Sequence, residues 1–290
     1  MLDSGDSTGI QLAAVLILLA LACLGLLRLE GYRGKTLLMM LLPIGAAFLI
    51  RALCMDYAGT DYKNFLTGWY AFFRENGGFQ ALAWEVGDYN MPYLYFIAAM
   101  SYFDVPDLYM FKLFSIVFDV VLAWGGLRLV RILVKGRGEG KENKLSLAAF
   151  ALMLFVPTVV LNGAFWGQCD VIYGALTVHA LALVLEGRNK SSVALLAVAF
   201  SFKLQTVFLM PLWGVLWLGR RVKFRQLLIF PVTYVVTILP AWLLGKPLSE
   251  ILGVYLDQAG EYPRLTLNAP SVYQFLPRNG EFNEELLSRL

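Results

Sequence analysis

Long apolar runs, separated by short polar loops, are the feature that most constrains this chain. The first two, at residues 10–27 and 36–53, approach the roughly 20 residues that cross a hydrocarbon core of about 30 Å. Of the 290 residues, 59% are hydrophobic and 16% are charged, whereas soluble domains have about 45–50% and about 25%. The mean hydropathy is +0.64. This composition predicts an all-α polytopic membrane protein and argues against a soluble globular domain.

We predict about eight spanning helices in a single transmembrane domain that covers residues 1–290. The domain would contain the first two helices (10–53), an outer loop (54–107), the remaining helices (108–244) and an outer loop or tail (245–290). The predicted spans lie at residues 10–27, 36–53, 108–133, 145–161, 171–185, 192–202, 206–218 and 226–244.

One further apolar run, at residues 91–103, is too short to cross and fits an interfacial or re-entrant segment. If it does not cross, the loops at residues 28–35, 128–144, 186–190 and 219–225 lie on the same side. Those loops carry 15 of the 24 Lys and Arg residues, so that side is predicted to be the cytoplasm. If it did cross, the first loop would lie on the opposite side of the membrane from the other three. The charge pattern therefore favours the short segment and places residues 54–107 outside.

Residues 192–218 are too many for one crossing and too few for two full ones. The charge pattern requires two short helices with a tip near Lys203 and Gln205. Irregular backbone at membrane depth is tolerated only where it lines protein or a water-filled cavity. The tip is therefore a first indication of a functional site.

The outer loop is rich in acidic and aromatic residues. Its acids include Asp56, Asp61 and Asp88, and Trp69 and Trp84 are predicted to anchor it at the membrane interface. Apolar positions at helical spacing predict an interfacial helix over residues 62–75, ended by the two glycines at 77 and 78. Asp61 stands at the start of that helix, where an acid can simply be an N-cap.

Polar groups also lie near the outer ends of the predicted helices, each with more than one interpretation. Lys112 and Asp119 are two turns apart on one helix face, either in an ion pair through a neighbouring helix or in a cavity wall. Asp170 either caps its helix or shares a polar pocket with Trp166 and Gln168. Lys203 either extends to the interface or binds a phosphate.

The remaining residues of chemical interest predict no metal or disulfide framework. His179 lies in the middle of a predicted span and is interpreted as a core residue. Three scattered cysteines and one histidine lack zinc-ligand or disulfide spacing. The outer acids leave a divalent cation open as a minor alternative. A net charge of +3 is too small to indicate a nucleic-acid partner.

Five motifs occur in an order that resembles a known enzyme family. They read DYKNFLTGW, GDYNMPYLYF, FKLFSIVFD, FWGQCD and FKLQTVFLMP within residues 54–211. This order resembles the membrane-embedded GT-C glycosyltransferases, which take sugars from polyprenyl-phosphate donors. The nearest patterns are the dolichyl-phosphate-glucose glucosyltransferases and bacterial relatives of the second GPI mannosyltransferase. The resemblance implies a GT-C-like helical bundle whose first outer loop carries juxtamembrane helices.

The resemblance also implies roles for individual residues. Asp61 matches the catalytic base, Asp88 matches a second acid and Lys112 matches a basic position. Lys203 and Gln205 match a Lys-Gln pair, here separated by Leu204. Substrate-binding positions are then expected at Asp56, Asp88, Tyr89, Lys112, Trp166, Gln168, Asp170, Lys203, Gln205 and Arg264.

Two departures from the family pattern bear on those roles. The family often has two prolines after its second acid, and this chain has Met91 before its single Pro92. Family members also commonly carry a histidine in the outer-face site. The only histidine of this chain, His179, is too deep in a predicted span to serve there, so contacts to the donor must differ.

The implied activity is inverting transfer of a hexose, mannose or glucose, to a hydroxyl of a glycan, lipid or protein acceptor. It needs a polyprenyl-phosphate sugar and membrane lipids, with no cofactor and no nucleic acid. The expected location is a bacterial plasma membrane with the site on the extracytoplasmic face. A lipid flippase or transporter is the alternative, although the internal repeats of many transporters are not visible in this sequence. A non-catalytic scaffold is also open.

Overall fold

The computed structural model describes residues 4–260, and these form helices, turns and loops without a β-strand. The prediction of an all-helical fold is confirmed for these residues, and the fold is consistent with a helical membrane protein. Short π-helical turns cover Tyr62–Leu66 and Leu161–Phe165, and 3₁₀ turns cover Gly78–Ala83 and Leu204–Leu209. The α-helices are α1 Ser4–Leu29, α2 Lys35–Cys54, α3 Thr67–Glu75, α4 Met91–Met100, α5 Asp107–Leu133, α6 Glu139–Phe155, α7 Pro157–Val160, α8 Asp170–Leu185, α9 Asn189–Phe202, α10 Met210–Leu218, α11 Phe224–Leu227, α12 Ile229–Leu243 and α13 Leu248–Gly260.

Four segments are long and apolar enough to cross a membrane unaided. They are most of α1 from Thr8, all of α2, all of α5, and α11 with α12 over Phe224–Leu243. A fifth candidate, α6 with α7 and the following turn, is bent by 45°. The apolar helices α8 and α9 and the segment Leu204–Leu218 are shorter. The count of eight spans therefore stays a prediction.

The long helix α5 lies at the centre of the packing, against α6 and α8. Two adjacent glycines on α5 allow this close approach. A Cβ on Gly125 would come within 3.0 Å of Val178, and one on Gly126 within 2.9 Å of Met153. Such distances are well inside van der Waals contact, so neither position has room for a larger residue without movement of its neighbour.

The basic loops meet at one end of the bundle. Arg131 near the end of α5 forms an ion pair with Glu30, which follows α1. Arg128 on α5 pairs with Glu186, which follows α8. Arg221, after α10, contacts the carbonyl of Leu185. These contacts show that the four loops meet at one end of the bundle, as the charge pattern predicted. They support the prediction that residues 91–103 do not form an additional crossing.

The helix α4 is short and buried among its neighbours. Its ten residues span about 15 Å, half of a hydrocarbon core. The ring of Phe96 stacks on Phe114 of α5 at 3.5 Å between centroids, and the Asn90 amide donates to the Tyr234 hydroxyl on α12 at 2.8 Å. Of the two predicted forms, the burial of α4 favours the re-entrant one over a helix lying on the surface.

The predicted hairpin at residues 192–218 is confirmed. α9 ends at Phe202, Lys203 adopts an extended backbone, and the 3₁₀ turn Leu204–Leu209 follows. The Trp213 indole then donates to the Ser192 hydroxyl at 3.0 Å, at the other end of α9. The second arm therefore returns along the first, with Lys203 at the tip.

The chain divides into two compact units at Lys246 and Pro247. The first unit holds α1 to α12. The second contributes α13 to the described residues. The boundary lies beside residue 245, where the sequence predicted the final outer segment to begin.

Candidate functional site

Asp61 lines an open cleft at the end of the bundle opposite the basic loops. The cleft has a volume of about 280 Å³ and is lined by Tyr57, Gly59, Thr60, Asp61, Trp166 and Gln168. The Gln168 amide nitrogen donates to Asp61 Oδ2 at 2.5 Å. Among the described residues, no Lys or Arg forms an ion pair with Asp61. The cleft therefore presents an exposed carboxylate oriented by a neutral donor.

The N-cap interpretation of Asp61 is wrong. Thr60 and Asp61 already have helical backbone, and the Asp61 side chain makes no capping hydrogen bond. The predicted helix over residues 62–75 is confirmed as a π-helical turn followed by α3, and it ends before Gly77, whose φ of +80° suits glycine. Asp61 thus stands at the start of this helical segment with its carboxylate turned to Gln168.

Gln168 is positioned by backbone geometry and by a buried serine. Gly167 before it has a φ of +74°, in the left-handed region that glycine tolerates. The Gln168 backbone N–H donates to the Asn162 carbonyl at 2.8 Å. The hydroxyl of Ser115, buried on α5, donates to the Gln168 carbonyl at 2.6 Å. The sequence analysis identified Gln168 but missed Ser115, since a lone serine in an apolar helix gives no distinctive signal.

Lys112 holds the backbone of Tyr57, a residue that lines the cleft, and is not a ligand-binding group. Its fully buried ammonium donates to the carbonyls of Cys54, Met55 and Tyr57 at 2.6, 2.9 and 2.7 Å. A lysine has three protons to donate, so none remains for a substrate. The expected substrate contact of Lys112 is corrected to a structural role, because the carbonyls at the end of α2 need donors.

Asp119 forms an ion pair with an arginine that the sequence analysis did not include in the site. Its Oδ2 accepts from Arg51 Nε on α2 at 2.8 Å, and both side chains are fully buried. Arg51 also donates to the carbonyls of Ala47 and Leu154 at 3.0 Å each. Of the two alternatives, the structural ion pair through a neighbouring helix is confirmed for Asp119. Its partner is Arg51 in the last turn of α2. Arg51 is a basic residue at the predicted outer end of a helix, where the charge pattern otherwise places few.

Asp170, two residues after Gln168, belongs to a second polar cluster together with Lys203 and Tyr89. Lys203, at the hairpin tip, forms an ion pair with Asp170 and lies 5.3 Å from the centre of the Tyr89 ring. The Lys203 side chain is 15% exposed, so it does not extend into the interface as the simpler interpretation required. Burial raises the pKa of the Tyr89 hydroxyl well above its usual value, which keeps that group protonated at neutral pH.

Asn162 organises the acid of this cluster. Its amide nitrogen donates to Asp170 Oδ2 at 2.7 Å, and its amide oxygen accepts from the Asp170 backbone N–H at 3.2 Å. Asn162 thus satisfies the first backbone donor of α8, so the interpretation of Asp170 as the cap of that helix is replaced. The sequence analysis missed Asn162. The signal was available, because a polar amide lies eight residues before Asp170 in a segment that is otherwise apolar.

The outer segment is fastened to α5 and to the second cluster by aromatic residues. The Tyr62 hydroxyl donates to Asp107 at the start of α5 at 2.9 Å. Burial, together with this hydrogen bond, raises the pKa of Tyr62 to about 12, so the hydroxyl stays a donor at neutral pH. Trp69 meets Tyr89 edge to face at 5.6 Å. Trp69 therefore packs on the cluster, while Trp84 is 52% exposed.

Other predicted site residues lie outside the cleft. The Asp56 carboxylate accepts from the Tyr109 hydroxyl at 2.8 Å. Asp88 and Gln205 are exposed and do not line the cleft, and Arg264 lies outside the described residues. Within residues 4–260, no group of three or more His, Cys, Asp or Glu residues is arranged to hold a metal ion.

The histidine is a core residue, as predicted. His179 Nε2 lies 2.9 Å from the Val121 carbonyl, and Nδ1 lies 3.1 Å from an Arg128 guanidinium nitrogen. Because arginine can only donate, Nδ1 is the acceptor and Nε2 carries the proton. Both ring nitrogens are satisfied at the basic end of the bundle, away from the cleft.

Comparison with known proteins returns no relative. No protein-family model, curated protein or solved structure matches the chain. The helical membrane class therefore rests on the sequence and the fold.

Proposed function

We propose that this protein is an inverting glycosyltransferase that moves mannose or glucose from a polyprenyl-phosphate donor to a hydroxyl acceptor. One observation carries the proposal: the Asp61 carboxylate is exposed in a cleft of about 280 Å³ and oriented by the Gln168 amide, with no cation paired to it among the described residues. A general base must be ionised, within reach of a substrate and held in one orientation. The exposure of Asp61 in the cleft and its hydrogen bond to Gln168 support this role.

The proposed reaction is a single displacement. The acceptor oxygen attacks the anomeric carbon as its proton passes to Asp61, on the face opposite the phosphate. The bond from that carbon to the phosphate oxygen breaks, and the polyprenyl phosphate leaves with the electron pair. Gln168 occupies one oxygen of Asp61, which leaves the other for the acceptor hydroxyl. The product has the inverted configuration because one displacement occurs.

Lys203 is the proposed cation for the leaving phosphate. Gln168 and Asp170 are two residues apart, a separation of at most about 7 Å between their Cα atoms, and Asp170 holds Lys203. The Lys203 ammonium has three protons. One is directed to the Asp170 carboxylate and a second to the Tyr89 hydroxyl, which lies 3.4 Å from Lys203 Nζ. The third is available to a phosphate oxygen. A fixed cation in a low-dielectric site stabilises developing charge more strongly than one in water.

Trp166, Tyr89 and Asp170 are proposed to shape the pocket for the sugar and its acceptor. Trp166 is 45% exposed on the cleft wall, where an aromatic ring can pack on the apolar face of a sugar. The basic loops at the opposite end support a cytoplasmic orientation for that end, which would set the cleft on the extracytoplasmic face of a bacterial plasma membrane.

The test follows release of polyprenyl phosphate from short-chain polyprenyl-phosphate mannose or glucose by the purified protein in detergent. Wild type should release it, and Asp61→Asn should lower the rate at least about 100-fold, since general bases contribute about 10²–10⁴. Asp104→Asn is the matched control, because Asp104 is an exposed outer acid paired only with Arg74 among the described residues. Full activity of Asp61→Asn removes Asp61 from the base role. Lipid movement across vesicles by wild type without sugar loss would overturn the transferase in favour of a flippase.

A further inference from the structure

Two loops at the basic end of the bundle come together into one surface. The loop after α8 and the loop after α10 are joined by Asn189, whose amide donates to the Arg221 carbonyl at 2.7 Å. The same amide lies 3.3 Å from the Gln226 side-chain oxygen. Residues far apart in sequence thus form a single patch, which we call the basic patch: Arg188, Lys190, Arg220, Arg221, Lys223 and Arg225.

The basic patch carries uncompensated positive charge. All six side chains belong to exposed residues, and none forms an ion pair with another residue of the described chain. The one acid in these two loops, Glu186, is engaged through both carboxylate oxygens by Arg128 of α5. The two loops therefore carry six exposed cations, and their one acid is already paired with a residue outside the patch.

The backbone fixes the loop that carries four of these cations. Arg220 has a φ of +58°, the only positive φ of a non-glycine residue among the described residues, and such a conformation persists where the surroundings impose it. Its neighbour Val222 is 1% exposed, and the Arg221 and Val222 N–H groups both donate to the Leu216 carbonyl. The patch is therefore a preformed surface on a tight turn.

An exposed aromatic pair adjoins the cations. Trp217 is the penultimate residue of α10 and Phe224 begins α11, and their ring centroids are 5.9 Å apart. The residues are 42% and 57% exposed, beside Leu218 at 73% and Leu228 at 51%. Aromatic side chains concentrate where a membrane meets water. The patch thus combines cations for phosphate groups with apolar groups for acyl chains.

We propose that the basic patch is a binding site for an anionic phospholipid, with the phosphate on Arg221, Lys223 and Arg225 and the upper acyl chain on Trp217 and Phe224. The apolar component favours a lipid over an acidic protein, which would need polar partners at those rings. Charge complementarity favours an anionic over a zwitterionic headgroup, since each Lys or Arg near an anionic membrane surface strengthens binding about fivefold. The inference is independent of the transferase activity, because the patch lies at the opposite end from the cleft.

The test titrates the purified full-length protein in neutral detergent with phosphatidylglycerol or phosphatidylcholine and counts retained lipid by native mass spectrometry. The variant Arg221→Gln/Lys223→Gln/Arg225→Gln should weaken phosphatidylglycerol binding at least about tenfold and leave phosphatidylcholine binding unchanged. The matched control, Lys135→Gln/Arg137→Gln/Lys141→Gln, removes the same charge from a loop that also holds Glu139 and Glu142. It should change binding less than about threefold.

A second readout addresses the aromatic pair. Phosphatidylglycerol with brominated acyl chains should quench tryptophan fluorescence, and Trp217→Phe should remove part of that quenching. Equal loss of phosphatidylglycerol binding in the patch variant and the control would overturn the site, because net charge alone would then explain binding. Unchanged binding in the patch variant would overturn it too. Displacement of the lipid by millimolar inorganic phosphate would reduce the patch to a phosphate site.

Discussion

Asp61 and Gln168, 107 residues apart in the sequence, meet through a 2.5 Å hydrogen bond between a carboxylate oxygen and an amide nitrogen. Asp61 stands at the start of a helical segment and Gln168 lies in the loop before α8, and side chains of α5 contact the chain beside each of them. Lys112 holds the carbonyls that precede Asp61, and Ser115 holds the Gln168 carbonyl. The two segments that line the cleft are therefore held in part by side chains of the same helix, α5.

Gln168→Glu should shift the pH dependence of sugar transfer. The variant places a second carboxylate beside Asp61, and two adjacent carboxylates resist ionising together. The acidic limb of the pH–rate profile should therefore move to higher pH than in the wild type, because the pair holds a proton more readily than a single carboxylate. Gln168→Ala removes the amide without adding charge and should lower the rate without this shift. An unshifted profile for Gln168→Glu would contradict the proposed base.

Lys112→Met should destabilise the protein through the carbonyls it leaves without a donor. Three backbone acceptors lose a charged partner, and the Met55 carbonyl is in a buried bond while the other two are in part-buried bonds. An unsatisfied buried group costs about 1–3 kcal/mol. A loss of at least about 2 kcal/mol is expected in unfolding measured in detergent micelles. Lys63→Met, at an exposed lysine of the same outer segment, should change stability by less than about 0.5 kcal/mol. Similar losses in both variants would refute the capping role.

A double-mutant cycle at Arg51 and Asp119 should show strong coupling. Removing one partner leaves the other charged and buried, which costs about 3–5 kcal/mol. Replacing both, as Arg51→Met/Asp119→Leu, should cost less than either single change, because one Arg51 nitrogen and one Asp119 oxygen already lack partners among the described residues. The free energies of unfolding of the four proteins measure this coupling. Additive losses would show that the two groups act independently.

Gly167→Ala and Gly174→Ala should change stability in opposite directions. Gly167 has a φ of +74°, and a side chain there costs about 1–2 kcal/mol and should also displace Gln168. Gly174 lies inside α8 with nothing within 4 Å of a new Cβ. Alanine there should stabilise the helix by up to about 1 kcal/mol. Thermal unfolding compares the two, and a stabilised Gly167→Ala protein would be inconsistent with the strained turn.

The sequence predicted those features that depend on hydropathy and charge. Basic loops separated from acidic ones identified the shared end of the bundle, and a shortage of residues between 192 and 218 identified the hairpin with Lys203 at its tip. It also selected Asp61, Trp166 and Gln168, which line one cleft.

The sequence did not predict which buried polar groups pair with each other. Lys112 was assigned to substrate, whereas its ammonium binds three backbone carbonyls. Backbone acceptors leave no trace in a sequence, so such a partner is invisible there. Arg51 was missed for a related reason, because its partner Asp119 becomes a neighbour only when α2 and α5 pack. Asn162 is different, since it lies only eight residues from its partner Asp170.

The spacing of three buried polar residues along α5 limits insertions and deletions in this helix. Lys112, Ser115 and Asp119 follow one another at helical intervals of three and four residues, so they share a face and contact three different segments of the chain. One residue inserted between Lys112 and Ser115 would rotate the second part of the helix by about 100° relative to the first. Lys112 and Ser115 could then no longer contact the Tyr57 and Gln168 carbonyls at the same time, so the two sides of the cleft would shift relative to each other. This part of α5 should accept substitutions on its other faces far more readily than any insertion or deletion.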